Sequence, residues 1–434
     1  MLNETANRAP AVEKPTRARH VVLGLIVAAY IITYMDRVNI SSAMPVIQKD
    51  LGISAIAVGW IFSSFRWGYA LFQIPGGWFG DKVGPRRALS CIVFWWSLFT
   101  TSTALCFNAL SLGVCRFLFG VGEAGAFPIA TRSLSRWMPP EERGFSQGLP
   151  HAASRLGAAL TPPLVVLIMI HFGWRMPFFL FGLLGLAWAA TWYWYYRDRP
   201  AEHRGVNAAE LAVINQPESP ASDVKRFVPW RTILKNRTVW MLAMMYFCYG
   251  YAIDVYLDWF PKYLYDARGV NLKQMGIYAS LPFVAGAVGN LSGGWFSDRW
   301  AARTGNLRTA RRVIAVLGFV IAAGSILPAT FTGSTSASVL FSCLSVFGLE
   351  LTVGVSWAIP LDIGGDFAGS IASIMNTFGN LGGAISPVLL GYLLGGYGWN
   401  VPFSISAVLC VAAVFFCFGI DPSQPVVARG VLAS

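Results

Sequence analysis

Residues 76–87 have the sequence GGWFGDKVGPRR, and residues 293–300 repeat its first part as GGWFSDRW. Two more pairs follow in the same order along the chain: GAALTPP from Gly157 matches GGAISPV from Gly382, and GWRMPF from Gly173 matches GWNVPF from Gly398. The first pair is offset by 217 residues and the other two by 225. Three ordered repeats at nearly one offset predict that both halves of the 434-residue chain share one fold.

The composition indicates that most of the surface faces a solvent other than water. The chain is 55% hydrophobic and 12% charged, and its mean hydropathy is +0.54, whereas soluble domains are about 25% charged. Apolar stretches of about 20 residues, long enough to cross a bilayer as a helix, recur along its length. The pattern predicts twelve membrane spans, at 21–43, 57–79, 88–107, 110–132, 146–170, 174–196, 238–264, 273–297, 311–330, 337–360, 369–394 and 399–420.

The longest polar stretch, residues 197–237, separates six predicted spans from six others. We therefore expect an all-α membrane protein with two pseudo-symmetric six-helix bundles. The linker is predicted to hold one short amphipathic helix around 207–214. The expected organisation is a cytoplasmic tail at 1–20, a first bundle at 21–196, a cytoplasmic linker at 197–237, a second bundle at 238–420 and a cytoplasmic tail at 421–434.

The charge of the chain is a topology signal. Most of its 33 Lys and Arg residues fall in alternate loops, on the side that also holds both termini. This bias predicts that both termini are cytoplasmic. The net charge of +12 therefore does not indicate a nucleic-acid partner; the expected environment is the lipid bilayer.

The chain lacks the sequence marks of a membrane enzyme or a channel. Its seven cysteines lie in or beside apolar segments without metal-ligand spacing, and its four histidines are scattered. No nucleophile–base cluster and no filter loop is visible. We expect no catalytic residues, no metal site and no cofactor.

Several polar and ionisable side chains fall inside the predicted spans, where an unpaired charge is costly and therefore marks a functional site. Arg116 and Glu123 are seven residues apart on one helical face, and Asp254 has Asp258 one turn away. The residues of interest among them are Tyr34, Asp36, Arg37, Arg66, Tyr69, Gln73, Arg116, Glu123, Arg155, Asp254, Asp258, Glu350, Asn376 and Asn380.

The repeated GGWF segments resemble the signature loops of the major facilitator superfamily. The resemblance implies a gate at the cytoplasmic face, with glycines that let helices approach closely and acids that pair with arginines or cap helices. The alternative is that these charges only set the topology. The gate residues are predicted to be Gly77, Asp81, Gly84, Arg86, Arg87, Asp298 and Arg299.

Four further segments, YMDRVNISSAMP, WGYALFQIPGGW, CRFLFGVGEAGAFP and MNTFGNLGG, resemble the anion:cation symporter branch of that superfamily. This branch includes bacterial importers of galactonate, glucarate, hexuronate and phthalate. The resemblance implies a monomeric transporter that imports a small organic anion by proton symport and alternating access. Together with the compact loops, it also implies a bacterial inner-membrane location. A sugar acid (a hexonate, hexuronate or aldarate) is the favoured substrate; an organic-anion exchanger and an aromatic-acid:proton symporter are the alternatives.

The same resemblance implies roles for individual residues. Asp36 and Glu123 would carry protons, Arg37 would bind the substrate carboxylate, and Tyr69 its polar groups. Arg116 would tune Glu123, unless the two form only a static brace. Asn376 and Asn380 suit hydroxyl groups, and Tyr34 and Gln73 complete the expected substrate-binding set.

Arg66 and Asp254 depart from the family pattern. We expect either an ion pair between them that closes an outer gate, or a second anion-binding role for Arg66 that favours a dianionic substrate. Arg155 is predicted to line the cavity wall or bind the anion, and Glu350 to be a further protonation or substrate-shaping site. Asp258 is predicted to be a solvated residue near the periplasmic rim.

Overall fold

The computed structural model describes residues 14–139, 142–214 and 229–426, and within these ranges the regular structure is helical. The α-helices are α1 Ala18–Leu51, α2 Ala55–Val83, α3 Pro85–Thr103, α4 Ala109–Glu123, α5 Ala126–Trp137, α6 Arg143–Phe172, α7 Met176–Tyr195, α8 Ala208–Ile214, α9 Trp230–Lys235, α10 Arg237–Asp254, α11 Phe260–Arg268, α12 Leu272–Thr304, α13 Leu307–Phe331, α14 Thr335–Gly364, α15 Ala368–Tyr397 and α16 Asn400–Gly419. A π-helical segment, Val255–Trp259, joins α10 to α11.

Each of the twelve predicted spans coincides with one helix or with two consecutive helices in the described ranges. Nine helical segments there are long and apolar enough to cross a membrane. Polar residues at the turns explain several helix starts, because the side chains of Ser54, Asn108 and Asn271 accept hydrogen bonds from backbone N–H groups of the first turn. The fold is the all-helical one that the apolar pattern and the internal repeat predict.

Helices α1–α7 pack mainly among themselves, and α10–α16 form a second group. Helix α2 runs antiparallel to α15 across the boundary, since Ala55 lies against Gly391 and Arg66 against Asn380. The starts of α1 and α15 therefore lie at one face, here called the terminal face. The other face, at the end of α1 and the start of α2, is called the opposite face.

The two groups meet along α2 with α15, α6 with α12, and α1 with α11. Close approach needs glycine here: a Cβ on Gly59 would overlap the Pro387 carbonyl oxygen, and one on Gly391 would lie 2.7 Å from the Ala55 oxygen. The Ser63 hydroxyl also donates to the Ala384 carbonyl oxygen over 2.7 Å. These contacts close the boundary between the groups on the opposite-face side.

The linker is anchored to the first group by one buried acid. Helix α8 lies where a short helix is predicted, and its Glu210 side chain is fully buried. This carboxylate accepts hydrogen bonds from the Thr16 hydroxyl, from the backbone N–H groups of Ala18 and Arg19, and from the Arg19 guanidinium. A carboxylate at a helix start is favourably placed for the helix dipole. Residues 1–13, 215–228 and 427–434 of the predicted tails and linker lie outside the described residues.

Candidate functional site

An ion pair between Arg37 of α1 and Glu123 of α4 lies at the centre of the first helix group. The Arg37 Nε donates to a Glu123 carboxylate oxygen over 2.7 Å, and the two side chains are 14% and 0% exposed. The glycine-rich GVGEAGAFP stretch explains where the acid lies, because α4 ends at Glu123 and α5 begins at Ala126. The sequence predicts both residues for the site but not that they pair.

Aromatic rings surround the Arg37 guanidinium. Its Cζ lies 5.0–5.7 Å from the ring centres of Tyr34, Phe65, Tyr69 and Phe127. Within the described ranges, the Arg37 Nη2 and the second Glu123 oxygen have no hydrogen-bond partner. The Arg37 guanidinium therefore has an unused hydrogen-bond donor, Nη2, is surrounded by aromatic rings and is partly exposed to solvent.

Arg116, which is predicted to tune Glu123, makes no hydrogen bond to that acid in the described structure. Its Nη1 instead donates to the backbone carbonyl of Asp36 over 3.4 Å, and its guanidinium lies over the rings of Phe65 and Phe119. The spacing of residues along α4 cannot show that Arg37, on α1, forms the ion pair with Glu123. The static brace between Arg116 and Glu123 is wrong for the same reason.

Asp36 is almost fully buried, at 1% exposure. Neither of its carboxylate oxygens has a hydrogen-bond partner among residues 14–139, 142–214 and 229–426. A buried carboxylate in that condition is costly as an anion.

Arg66 of α2 and Asp254 of α10 form an ion pair across the boundary between the two helix groups. Arg66 also donates to the Asn380 side-chain oxygen over 3.4 Å, and the Asn380 amide donates to the Asn376 carbonyl oxygen over 2.9 Å. Asn380 is thus engaged with Arg66, whereas the Asn376 side chain is half-buried. This is the pairing that the outer-gate alternative anticipates.

A second ion pair crosses the boundary between Arg155 of α6 and Glu350 of α14, with 3.1 Å between Arg155 Nη2 and a Glu350 oxygen. Glu350 also accepts hydrogen bonds from the Tyr249 hydroxyl over 3.2 Å and from the Asn290 amide over 2.9 Å. The Arg155 Cζ lies 5.5 Å from the centre of the Tyr34 ring. Tyr34 therefore contacts both Arg37 and Arg155.

The prediction from sequence missed Asn290, although the internal repeat contains the signal for it. Asn290 precedes its GGWF segment by three residues, as Gln73 precedes the first one. Gln73 itself is half-buried on α2. Tyr249 had no such signal, because its role depends on the packing of α10 beside α14.

Asp258 is half-buried within the π-helical segment, so its prediction as a solvated rim residue is wrong. The wider π turn lies between Asp254 and Asp258 and alters the helical spacing assumed from the sequence.

Of the two predicted gate glycines, Gly84 lies at a position that favours glycine, and Gly77 does not lie at a close helix contact. A Cβ on Gly77 would meet open space, so the prediction that Gly77 allows close helix packing is wrong. That contact is made by its neighbour Gly76, where a Cβ would lie 2.9 Å from Gly125. Gly84 has a φ of +86°, a conformation that favours glycine, where α2 ends before α3.

The gate charges at the terminal face form separate networks in the two helix groups. The Arg86 backbone N–H donates to an Asp198 carboxylate oxygen over 3.0 Å, and its Nε donates to the Tyr193 carbonyl oxygen. In the second group Arg311 bridges Asp298 and Asp362, at 2.6 and 3.0 Å. Arg299 lies over the Trp295 ring and Arg87 is exposed; the Asp81 side chain lies outside the described part of the structure.

Within the described residues, an all-helical fold with charged residues buried between two helix groups is typical of a membrane transporter. The sequence pattern described as Major Facilitator Superfamily matches residues 26–387, and the chain belongs to that family. A bacterial homologue of the human lysosomal transporter Spinster, in an inward-facing and unoccupied conformation, has the same fold, with a TM-score of 0.78 and 18% identity over 92% of this chain and 96% of that one.

The relatives transport organic anions. A probable sulfoacetate transporter of Cupriavidus necator is 41% identical and covers 94% of each chain. The hexuronate transporter of Bacillus subtilis is 34% identical over 86% of this chain and 87% of its own. A probable galactarate/D-glucarate transporter of Escherichia coli is 30% identical, covering 88% and 89%. The resemblance to anion:cation symporters is confirmed, and the chain is an anion transporter rather than an enzyme.

Proposed function

We propose that this protein imports a small organic acid anion by proton symport, with Arg37 as the anion-binding group and Glu123 as a proton carrier. The observation that carries the proposal is the buried Arg37–Glu123 pair, 2.7 Å apart within a ring of aromatic side chains. A guanidinium suits a carboxylate because it donates two parallel hydrogen bonds.

The Arg37–Glu123 pair can couple the binding of the substrate anion to the binding of a proton. A substrate anion that binds Arg37 displaces Glu123, which is then a buried carboxylate without its cationic partner. Such a group takes a proton, because a buried unpaired charge is far more costly than a neutral acid. Substrate binding and proton binding then favour each other, and this coupling is reciprocal. Asp36, which lacks a hydrogen-bond donor in the described structure, is the second proton carrier.

Sugar acids remain candidate substrates, as the relatives that carry hexuronate and galactarate or glucarate suggest. The relative that carries sulfoacetate adds a smaller anion to the candidates. Tyr34, Tyr69, Gln73 and Asn376 supply polar groups for the uncharged part of the molecule. We further propose that the terminal face is cytoplasmic and that one chain is the transport unit; the bias of Lys and Arg supports this orientation.

The test is proton influx into vesicles that contain the purified protein and a pH-sensitive dye. Hexonates, hexuronates, aldarates, sulfoacetate, aromatic acids and neutral sugars are added in turn. We expect one class of acid to trigger influx, its neutral counterpart to trigger none, and Glu123→Gln to abolish the response. Glu202→Gln is the matched control, because Glu202 is exposed at 54% and lies in the linker.

Two outcomes would redirect the proposal. If the folded protein gives no proton influx with any of the acids, proton symport is contradicted. Uptake of a labelled acid only into vesicles preloaded with an anion would establish exchange instead.

A further inference from the structure

We propose that Cys106 and Cys115 form a redox site that closes to a disulfide. Both are free cysteines in the structure. The Cys106 thiol donates a hydrogen bond to the Cys115 sulfur, and the two Sγ atoms are 3.5 Å apart. Because a disulfide has an S–S length of about 2.05 Å, the sulfurs need to approach by about 1.5 Å to form one. The inference goes beyond the proposed transport function and concerns a different part of the first helix group.

The turn between α3 and α4 brings the two thiols together. Cys106 lies in that turn, and its backbone N–H donates to the Thr103 carbonyl oxygen over 3.2 Å. The next N–H, that of Phe107, donates to the Ser111 hydroxyl over 3.2 Å. Ser111 and Cys115 are four residues apart, so they lie on the same face of α4. The backbone is thus held on both sides of Cys106, and its side chain reaches the face of α4 that carries Cys115.

Cys106 has the conformational freedom that the closing of the bond requires. It lies outside the regular helices, so its backbone and side-chain angles can adjust without breaking the hydrogen bonds within α3 or α4. Its neighbours Leu105 and Phe107 are 69% and 73% exposed, so the turn itself is not packed inside the helix group. Segments with few buried contacts move at a low cost in free energy. A shift of about 1.5 Å is therefore accessible here.

The location of the turn determines which compartment supplies the oxidant. Helix α2 begins at the opposite face and α3 returns to it, so the turn between α3 and α4 lies at the opposite face. In the proposed orientation that face is outside the cytoplasm, where disulfides form and persist. In this respect the inference rests on the proposed orientation, but it does not depend on proton symport.

The bond closes by thiol–disulfide exchange with an oxidant that is itself a disulfide. Cys115 is half-buried and Cys106 is only 3% exposed, so Cys115 reacts first. Its thiolate attacks one sulfur of the oxidant, and the other sulfur leaves as a thiol after taking up a proton. The Cys106 thiolate then attacks the Cys115 sulfur of this mixed disulfide and releases the second oxidant thiol. The protein loses two protons and two electrons, and the oxidant disulfide becomes two thiols.

The bond would lie entirely within the first helix group. Helices α3 and α4 both belong to that group, so the disulfide does not cross the boundary that separates during transport. It would enclose residues 106–115 in a short covalent loop, which restricts the unfolded chain. The site is therefore a covalent clasp on the turn between α3 and α4, and transport does not require it to open.

Dithiodipyridine, a small neutral aromatic disulfide, tests whether the pair closes in the purified full chain. The chain keeps Cys106 and Cys115, and the other five of its seven cysteines are replaced by serine. An isolated thiol retains a pyridylthio adduct and releases one thiopyridone, whereas a pair that closes releases two and retains no adduct. We expect two thiopyridones per chain and an intact mass that is lower by two hydrogens.

Two matched chains distinguish closing of the bond from simple labelling. Cys115→Ser in the same background cannot close and is expected to release at most one thiopyridone. A chain that keeps only Cys91 and Cys343 has its thiols on α3 and α14, in different helix groups. That chain is expected to retain adducts and to lose no pair of hydrogens.

Adducts that remain on Cys106 or Cys115, or a chain that stays fully reduced, overturn the proposal. If the variant chains fail to fold, the oxidised unaltered chain is digested and searched by mass spectrometry for a peptide linked through Cys106 and Cys115. We expect that linked peptide, and its absence overturns the proposal as well. Closing of the bond in detergent requires neither the proposed orientation nor proton symport, so its failure is distinguishable from a failure of either.

The state of the pair in cells tests the compartment. Membranes from cells that express the unaltered chain are quenched with acid, and thiols are alkylated in denaturant before and after reduction. We expect Cys106 and Cys115 to be alkylated only after reduction, and the exposed Cys91 to be alkylated before it. Alkylation of Cys106 and Cys115 before reduction overturns the disulfide in the cell, whereas proton influx in vesicles measures transport separately.

Discussion

Arg37 forms a buried ion pair with Glu123, and the proposed role of this pair can be tested by removing either member. Arg37→Ala leaves the fully buried Glu123 without its partner. We expect a loss of about 3–5 kcal/mol of stability, because one charge of a buried pair is left uncompensated. Thermal unfolding of the purified protein in detergent measures this loss.

The double variant Arg37→Ala with Glu123→Gln is the control for that prediction. It removes the uncompensated charge, so we expect most of the lost stability to return while transport stays absent. If the single and the double variant are equally unstable, the pair does not govern the stability of this site.

The Arg66–Asp254 pair is predicted to hold the boundary between the helix groups. Arg66→Ala and Asp254→Ala should each abolish transport, since each leaves one buried charge without its partner. The double variant should recover part of it, as measured by uptake of labelled substrate. No recovery, together with a rise in KM for Arg66→Ala alone, would indicate that Arg66 binds substrate.

At the residue scale, the sequence identifies which side chains are unusual but not how they pair. Buried charges stand out because apolar spans contain few of them, so Arg37, Glu123, Arg66 and Asp254 were all predicted site residues. Pairing depends on which helices are neighbours, and a single sequence does not contain that information. Hence the pairing of Arg37 with Glu123 was not predicted.

At the scale of the helices, the lengths of the apolar stretches predicted where the helices lie, but they did not predict local breaks within them. The break between α4 and α5 and the π-helical segment at Val255–Trp259 interrupt two predicted continuous spans. Both depend on packing: Gly125 at the first lies against Gly76 of α2. The short linker helix was predictable, because its amphipathic pattern is local.

The contact between α2 and α15 depends on Gly59. Gly59→Val should prevent α2 and α15 from approaching, because even a Cβ would overlap the Pro387 carbonyl oxygen. We expect the protein to shift to a conformation open at the opposite face, with transport reduced at least tenfold, about 1.4 kcal/mol of conformational bias. Thiol labelling of a cysteine placed at Ala384 reports the opening.

Gly24→Val is the matched control for this prediction, because a Cβ on Gly24 of α1 meets nothing within 4 Å. With the same cysteine at Ala384, that variant should show the same thiol labelling and the same transport as the chain that keeps Gly24. Normal transport by Gly59→Val would mean that α2 and α15 need not approach this closely.

For the whole molecule, the internal repeat predicted two similar halves, and the family fold agrees with it. The repeat does not indicate which face is closed, because two similar halves can close at either face. Here the polar bonds between the groups, such as Ser63–Ala384 and Arg66–Asp254, lie from mid-depth to the opposite face in the described residues. A transport cycle requires these contacts to separate.

A reversible crosslink across the boundary tests that requirement directly. Ser63→Cys with Ala384→Cys, in a chain whose seven native cysteines are replaced, places one thiol on each of α2 and α15 at the contact where the Ser63 hydroxyl donates to the Ala384 backbone carbonyl. Oxidation should stop proton influx into vesicles, and a reductant should restore it. The control chain keeps only the native Cys106 and Cys115, whose sulfur atoms lie 3.5 Å apart within the first group, so its oxidation should leave influx intact. Undiminished influx through the Ser63–Ala384 crosslink would show that the groups do not separate here, and alternating access would have to proceed with α2 and α15 in contact.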